Sequence, residues 1–258
     1  MQQGKFKIAL FGNIYQERKS VAVQKFFALA SELKAELLIP ASFYAFLTDN
    51  LQINVPTCRI LDEGQGEPLD ADVVVCMGGD GTFLKAASRV REKMIPILGV
   101  NMGRLGFLAD VSPGDIEKCM EAIYEENYSV ENRALIQVTS DGEPLEGYNC
   151  ALNDVAILKR DTASMISIRA CINGEYLTTY QADGLVISSP TGSTAYSLSN
   201  GGPIIVPGTK VFSMTAVAPH SLNVRPIVLA DSSIIELEVE SRSHNFLVAI
   251  DGRSEKCK

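Results

Sequence analysis

Val73-Val74-Val75-Cys76-Met77-Gly78-Gly79-Asp80-Gly81-Thr82 is the stretch that decides this chain: an apolar run, then one carboxylate among three glycines, then helical spacing. Glycine lets a backbone take positive φ and come close to a ligand. The first free N–H groups of a helix favour anions, phosphate above all. An acidic side chain in such a turn is poorly suited to hold phosphate itself, but it can orient a hydroxyl or hold a magnesium ion beside one. The pattern points to phosphoryl transfer onto an alcohol. Read only as a strand-to-helix turn, the same glycines need no ligand, and that plainer reading stands beside the first.

Working outward, the first half alternates strand and helix. Residues 7–11 form a short apolar strand, and Gly12-Asn13 its turn. Residues 16–33 carry Val21, Phe26, Leu29 and Leu33 at helical spacing. Residues 37–39 make a second strand stopped by Pro40, and 42–50 a short helix. A helix over 82–91 places Phe83, Ala87 and Val90 along one stripe, and Pro96 opens a strand at 97–100. Unbroken apolar strands between helices mark a parallel sheet covered on both faces. Ligands of such sheets bind beyond the carboxyl ends of the strands, where the glycine turn falls.

The character changes after an acidic helical segment at 114–127. Residues 166–172 alternate with period two and meet Asn173-Gly174, a strong hairpin signal; Asp141-Gly142 is a second candidate turn. Residues 235–240 alternate strictly, so one face of that strand is wet. The expected architecture is a Rossmann-like α/β domain over 1–130 and a β-rich, β-sandwich-like domain over 131–258.

Bulk properties narrow the function. The chain has 258 residues, 46% hydrophobic and 21% charged, with a formal net charge of −8. That balance argues against non-specific nucleic-acid binding, which needs a basic face. No apolar run nears the roughly 18–20 residues of a membrane span, and the patch after Lys7 is too short for a secretory leader. Six scattered cysteines without a C-x-x-C pair read as reduced thiols of a cytoplasmic protein. Two histidines leave little room for a His-rich metal cluster or a hydrolytic triad. The P-loop, the G-x-G-x-x-G turn and the G-x-S-x-G elbow are all missing from the sequence.

Four stretches are richer in small and polar residues than folding alone requires. Residues 78–82 come first, with Lys85 a helical turn on. The second is Asn101-Met102-Gly103-Arg104-Leu105-Gly106-Phe107, where Arg104 offers a cation. Asn153-Asp154 interrupts an apolar run and reads as a site, a bulge or a strand-end cap. The fourth joins Ala182-Asp183-Gly184 to the hydroxyl-dense run 188–199. Asp183-Gly184 alone reads as a turn, and 188–199 as an ordered functional loop or a surface excursion. Lys159, Arg160, Arg225 and Arg253 read as solvated charges unless the fold turns them toward a cleft.

Taken together, these stretches resemble the NAD kinase family. The resemblance rests on 78–85, 101–107, 151–157, 182–199 and 216–223, in the family's order and near its spacing. The glycine turn alone is shared with diacylglycerol-type lipid kinases and phosphofructokinases; Asn153-Asp154, Asp183 and the run from Pro190 to Ser199 make the likeness specific. It implies an active site between an α/β and a β-rich domain. There, ATP and a divalent metal, magnesium by expectation, phosphorylate the 2′-hydroxyl of the adenosine ribose of NAD to give NADP.

Carried over by position, Asp80 is the proposed base, Gly81 belongs to its turn, and Lys85 is a basic binding residue. Asn153 and Asp154 hold the dinucleotide, and Asp183 lies on its nicotinamide side. Thr194, Ala195, Tyr196, Ser197, Leu198 and Ser199 form the adenine and ribose wall, and Ala218 lies in a pocket stretch. Gln181 replaces an arginine of some members, and Arg253 a glutamine of many. Many members also continue past the position of Lys258. Self-association as a dimer or tetramer is implied by the resemblance alone. Two alternatives stay open here: a diacylglycerol-type lipid kinase, which would need an acyl channel, and a non-catalytic dinucleotide sensor, to which Asp80 would be of little use.

Overall fold

Apolar strands without alternation have to be buried on both sides, and the first unit shows how. A computed structural model of the chain describes residues 5–12, 20–62, 69–103, 106–141, 145, 147–160, 165–242 and 245–257. The chain divides into two units, Met1–Val130 and Glu131–Lys258. In the first, β1 (Lys7–Gly12), α1 (Ser20–Glu32), β2 (Glu36–Pro40), α2 (Ala41–Ala45) and β3 (Cys58–Leu61) are followed by β4 (Val73–Gly78), α3 (Asp80–Val90), β5 (Ile97–Asn101) and α4 (Ile116–Tyr124). Among the described residues the strands form one sheet in the order β3-β2-β1-β4-β5, with every pair parallel.

Alternate residues of each strand serve different layers. Ile8, Leu10, Val73 and Val75 pack with Phe26 of α1 and with Ile116 and Met120 of α4. Ala9, Phe11, Val74 and Cys76 pack with Ala86 and Val90 of α3. Strand order reverses between β1 and β4, the switch point at which such sheets bind ligands. Three expectations change in detail. The helix expected from 82 starts at Asp80, because Gly79 takes the cap position and the carboxylate joins the first turn. The segment 42–50 is α2 followed by a π-helical turn, Phe46–Asn50. Strand β3 was not expected: only Leu61 of its four residues is buried, so the apolar signal is weak at this sheet edge. Asn13 and the start of the 16–33 segment lie outside the described residues.

The second unit is antiparallel. Its strands are β6 (Ile136–Gln137), β7 (Cys150–Ala151), β8 (Asp154–Lys159), β9 (Ile166–Ile172), β10 (Glu175–Ala182), β11 (Gly184–Ser188), β12 (Val211–Val217), β13 (Ile227–Ala230), β14 (Ile235–Glu240), β15 (Phe246–Ile250) and β16 (Arg253–Cys257), with the short helix α5 (Tyr196–Ser199) after β11. Two sheets, β10-β9-β14 and β13-β12-β11-β8-β15-β16, enclose one core. Ile166, Ile168, Ala170 and Tyr180 come from the smaller sheet; Val155, Ile157, Leu185, Ile187, Met214, Val248 and Ile250 come from the larger. The Asn173-Gly174 turn forms as expected, both residues at positive φ (53° and 83°). The Asp141-Gly142 turn falls partly outside the described residues.

The outer face of the larger sheet is different. Asp154, Ser188 and Ser213 stand in one cross-strand row, with Ala156, Val186 and Thr215 in the next row on the same face. This row is polar yet buried. A row of that kind is the first structural sign of a site.

Among the described residues no helix is long and apolar enough to cross a membrane. Cys58, Cys76, Cys119, Cys150 and Cys171 are free thiols.

Candidate functional site

In the first unit the site begins with two glycines that the chain itself does not require. A Cβ built on Gly79 or Gly81 would meet nothing within 4 Å, and neither residue has positive φ. Gly78 differs, because a Cβ there would lie 2.2 Å from Thr82 Oγ1. Packing therefore accounts for Gly78, while Gly79 and Gly81 leave bare backbone facing open space at the start of an 11-residue helix. An anion approaching those N–H groups meets no Cβ at either glycine.

The Asp80 carboxylate is held by three backbone N–H groups. Its Oδ2 accepts the Phe107 N–H at 3.0 Å, and its Oδ1 accepts those of Leu108 at 3.0 Å and Ala109 at 3.4 Å. A Cβ on Gly106 would fall 2.2 Å from Oδ1, so that glycine is what lets the loop after β5 close onto the carboxylate. A carboxylate accepts at about four lone-pair sites, so a direction remains for a hydroxyl. Lys85 is exposed on α3, and Arg104 lies outside the described residues.

In the second unit Asn153 and Asp154 stand at the head of β8. Asp154 is buried, and its carboxyl is pushed up to about 6, chiefly by burial and next by the negative Asp251; the Tyr196 N–H, donated to it, works the other way. Asn153 Oδ1 is buried without a hydrogen-bond partner. An orphaned buried acceptor costs about 1–3 kcal/mol, a cost that a ligand donor would remove.

The hydroxyl-dense segment is mostly internal bracing. Ser189 Oγ donates to Leu152 O at 2.5 Å and accepts the Gly192 N–H at 3.2 Å. Ser193 Oγ donates to Pro190 O and accepts the Ile205 N–H at 3.0 Å. Ser197 Oγ bonds Thr215 Oγ1 at 3.1 Å and is fully buried, so it offers a ligand only backbone. Gly192 packs against Asn153, whose carbonyl oxygen would sit 2.1 Å from an added Cβ. Thr194 and Ala195 are half-buried; Tyr196, Leu198 and Ser199 are exposed. The wall expected over 194–199 therefore has one outward row and one inward row.

Asp183 is not a turn residue. It is the single joint where the chain leaves the smaller sheet at Ala182 and enters the larger at Gly184. A Cβ at Gly184 would lie 2.4 Å from Ile157 O, which explains the glycine without a turn. The Asp183 carboxylate pairs with Lys159 Nζ at 2.7 Å, so Lys159 is not a solvated charge. Gln181 donates to Ser167 Oγ at 3.0 Å. Ala218 follows β12 at φ 43°, a strained value for a residue with a Cβ.

Arg253 is likewise engaged, donating to Cys150 O and Ile250 O at 3.2 Å each. Arg225 donates to Leu222 O and Val224 O at 2.8 Å each. Sequence reasoning missed Asp251, whose carboxylate accepts the N–H groups of Leu152, Asn153 and Asp154. Its signal was the Asp-Gly pair beside Arg253, legible as a turn but not as a clamp.

Residues 48–128 match the family model of the ATP-NAD kinase N-terminal domain, and residues 152–257 that of the C-terminal domain. An NAD kinase of Bacteroides fragilis is 58% identical over 252 residues, 98% of this chain and 86% of the relative. The chain belongs to the NAD kinase family. An NAD kinase of Porphyromonas gingivalis is 44% identical over 96% of this chain and 84% of its own length. Among solved structures, yeast NADH kinase complexed with NADH superposes with a TM-score of 0.85 at 24% identity, over 98% of this chain and 77% of that one. An NAD kinase from Archaeoglobus fulgidus in complex with ATP gives 0.71 at 23% identity, over 98% and 86%. These two establish a shared NAD kinase fold. The lipid-kinase and sensor alternatives gain no support from any of these likenesses.

Proposed function

We propose that the chain transfers the terminal phosphoryl group of ATP to the 2′-hydroxyl of the adenosine ribose of NAD, giving NADP. Family membership along both units carries this reading, and the local geometry supports the part proposed for each residue. Phosphoryl transfer through a loose transition state asks a protein for positioning and charge stabilisation. Gly79, Gly81 and the first N–H groups of α3 give phosphate an open backbone approach, with Lys85 as a nearby cation. Asp80 orients the 2′-hydroxyl and takes its proton late, since a carboxylate is a weak base for an alcohol.

Asn153 Oδ1, the orphaned acceptor, takes a donor of the dinucleotide, and Asp154 takes a sugar hydroxyl. Tyr196 offers a flat face for adenine beside Thr194, Ala195, Leu198 and Ser199, with Ser197 contributing backbone. Asp183, held by Lys159, stands on the nicotinamide side, and Ala218 lines the same pocket. Arg104, Gln181 and Arg253 have the lesser roles, the last two being committed to partners within the unit.

A divalent ion fits as part of the nucleotide. The described residues hold no group of three acidic, His or Cys side chains that would cage a metal. Magnesium commonly needs only one or two carboxylates beside substrate phosphates, and Asp80 is the carboxylate of this turn. When bound, the ion would neutralise phosphate charge. A cytosolic setting and assembly as a dimer or tetramer belong to the same proposal.

The test incubates the pure protein with ATP, magnesium and either NAD or diacylglycerol, and looks for phosphorylated product. NADP is expected, and no phosphorylated lipid. Asp80→Asn should lower kcat by about 10³-fold while NAD still binds by calorimetry; an unchanged kcat refutes the assigned role.

A further inference from the structure

We propose that Asp251 is a positioning residue for the dinucleotide, the carboxylate that fixes Asn153 and Asp154 in their binding geometry. The inference rests on the reading above, in which those two residues hold NAD.

The hairpin between β15 and β16 turns on two residues, Asp251 and Gly252, both at positive φ (48° and 77°). An Asp-Gly pair is ordinary chemistry for such a turn, and the turn alone makes no demand on the carboxylate. Yet Asp251 Oδ2 accepts the Leu152 N–H at 2.8 Å, and Oδ1 accepts those of Asn153 at 2.7 Å and Asp154 at 3.3 Å. The Asp251 N–H returns a bond to Asp154 O at 3.0 Å. At the other end of the segment, Arg253 Nη2 donates to Cys150 O at 3.2 Å. One hairpin turn thus holds residues 150–154 with two charged side chains. From the opposite direction Ser189 takes both carbonyls, its N–H bonding Asn153 O at 2.9 Å and its Oγ bonding Leu152 O.

With the backbone of 152–154 held on both sides, the Asn153 side-chain carbonyl is what remains unsatisfied. The segment is rigid where its polar tip is aimed. Preorganisation of that kind raises affinity by removing the cost of ordering the site on binding.

Next to burial, which is the larger cause, Asp251 adds to the electrostatics of Asp154. Of the elements around Asp154, the hairpin turn brings the negative Asp251, α5 brings the Tyr196 N–H, and β11 brings the neutral Ser188 across the ladder. The two carboxylates oppose each other, so Asp154 is driven toward any donor, whether a proton or a ribose hydroxyl.

The test compares wild type with Asp251→Asn and Asp251→Glu, reading kcat, KM for NAD, KM for ATP and thermal melting from about pH 5 to about pH 8. Asp251→Asn should raise KM for NAD about tenfold, with kcat and KM for ATP changed less than about threefold. It should also move the acid limb of the NAD-affinity profile to lower pH, because Asp154 no longer faces a second charge. Asp251→Glu, which keeps the charge on a longer arm, should raise KM for NAD with the limb unmoved; it carries the test if Asp251→Asn does not fold. A limb at the wild-type pH in Asp251→Asn, or loss of kcat and both affinities in step with melting temperature, overturns the proposal. So does an unchanged KM for NAD in Asp251→Glu. Wild-type protein that makes no NADP would instead sink the reading of the site itself.

Discussion

The two units use one device in two settings. In each, a carboxylate gathers three successive backbone N–H groups from another segment: Asp80 those of Phe107, Leu108 and Ala109, and Asp251 those of Leu152, Asn153 and Asp154. Asp80 does so beside two glycines open to space, so in the proposed site the gripping carboxylate is itself the one that meets the ligand. Asp251 does so on the backbone of the segment that carries Asp154, so in the proposed site the gripping and ligand-facing carboxylates would be separate residues. On the proposed reading, the first arrangement would couple catalysis to loop closure, and the second would let affinity be tuned without touching the groups that bind.

The sharpest way to break the parallel is Gly106→Ala. Its Cβ would fall 2.2 Å from Asp80 Oδ1, and Asp80, pinned by three N–H groups, cannot swing aside without releasing the loop. Overpacking of this kind displaces the carboxylate by a fraction of an ångström or more, and the expected loss is about 10²-fold in kcat. Steady-state kinetics with NAD and ATP checks it. Wild-type kcat in Gly106→Ala would mean that Asp80 needs no closed loop.

These outcomes bear on what the amino-acid order reveals. The strand–glycine–helix handover was legible because steric and periodic signals lie within ten consecutive residues. The sandwich was legible because 166–172 and 235–240 alternate and Asn173-Gly174 has its own turn chemistry. Asp251 was hidden because its partners lie nearly a hundred residues away and its local signal, Asp-Gly, is fully explained by a turn. The serines misled in the opposite sense. Ser188, Ser189, Ser193 and Ser197 are all fully buried, and most of their bonds run to the chain's own backbone. Hydroxyl density in a sequence does not distinguish bracing from binding.

A smaller effect is expected from Asp154→Asn, and in the direction of greater stability. The folded carboxyl is raised to about 6, above the unfolded value, so the native state binds the extra proton between about pH 4 and pH 6. The contribution of this carboxyl to stability is therefore greatest below that window and is lost as pH rises through it. The ionised, buried group then costs about 3 kcal/mol at neutral pH. Asn keeps an acceptor for the Tyr196 N–H and carries no charge. Melting of Asp154→Asn at about pH 7.5 should exceed wild type, with the gap closing near about pH 4, while NAD affinity falls. A gap that persists in acid would assign the gain to packing instead of charge.

The smallest effect separates the two rows of the segment after β11. Tyr196 has 39% of its area exposed and Ser197 none, although they are neighbours in one helical turn. The Tyr196 backbone, not its ring, serves Asp154, so truncation to alanine leaves that N–H in place. Tyr196→Ala should therefore raise KM for NAD by about tenfold at most through lost stacking, with kcat and melting temperature nearly unchanged. Isothermal titration with NAD gives the dissociation constant directly, without turnover. An affinity equal to wild type would remove the ring from the adenine wall and leave the exposed row without its largest flat surface. A fall in melting temperature matching the loss of affinity would place Tyr196 with the buried serines, as bracing.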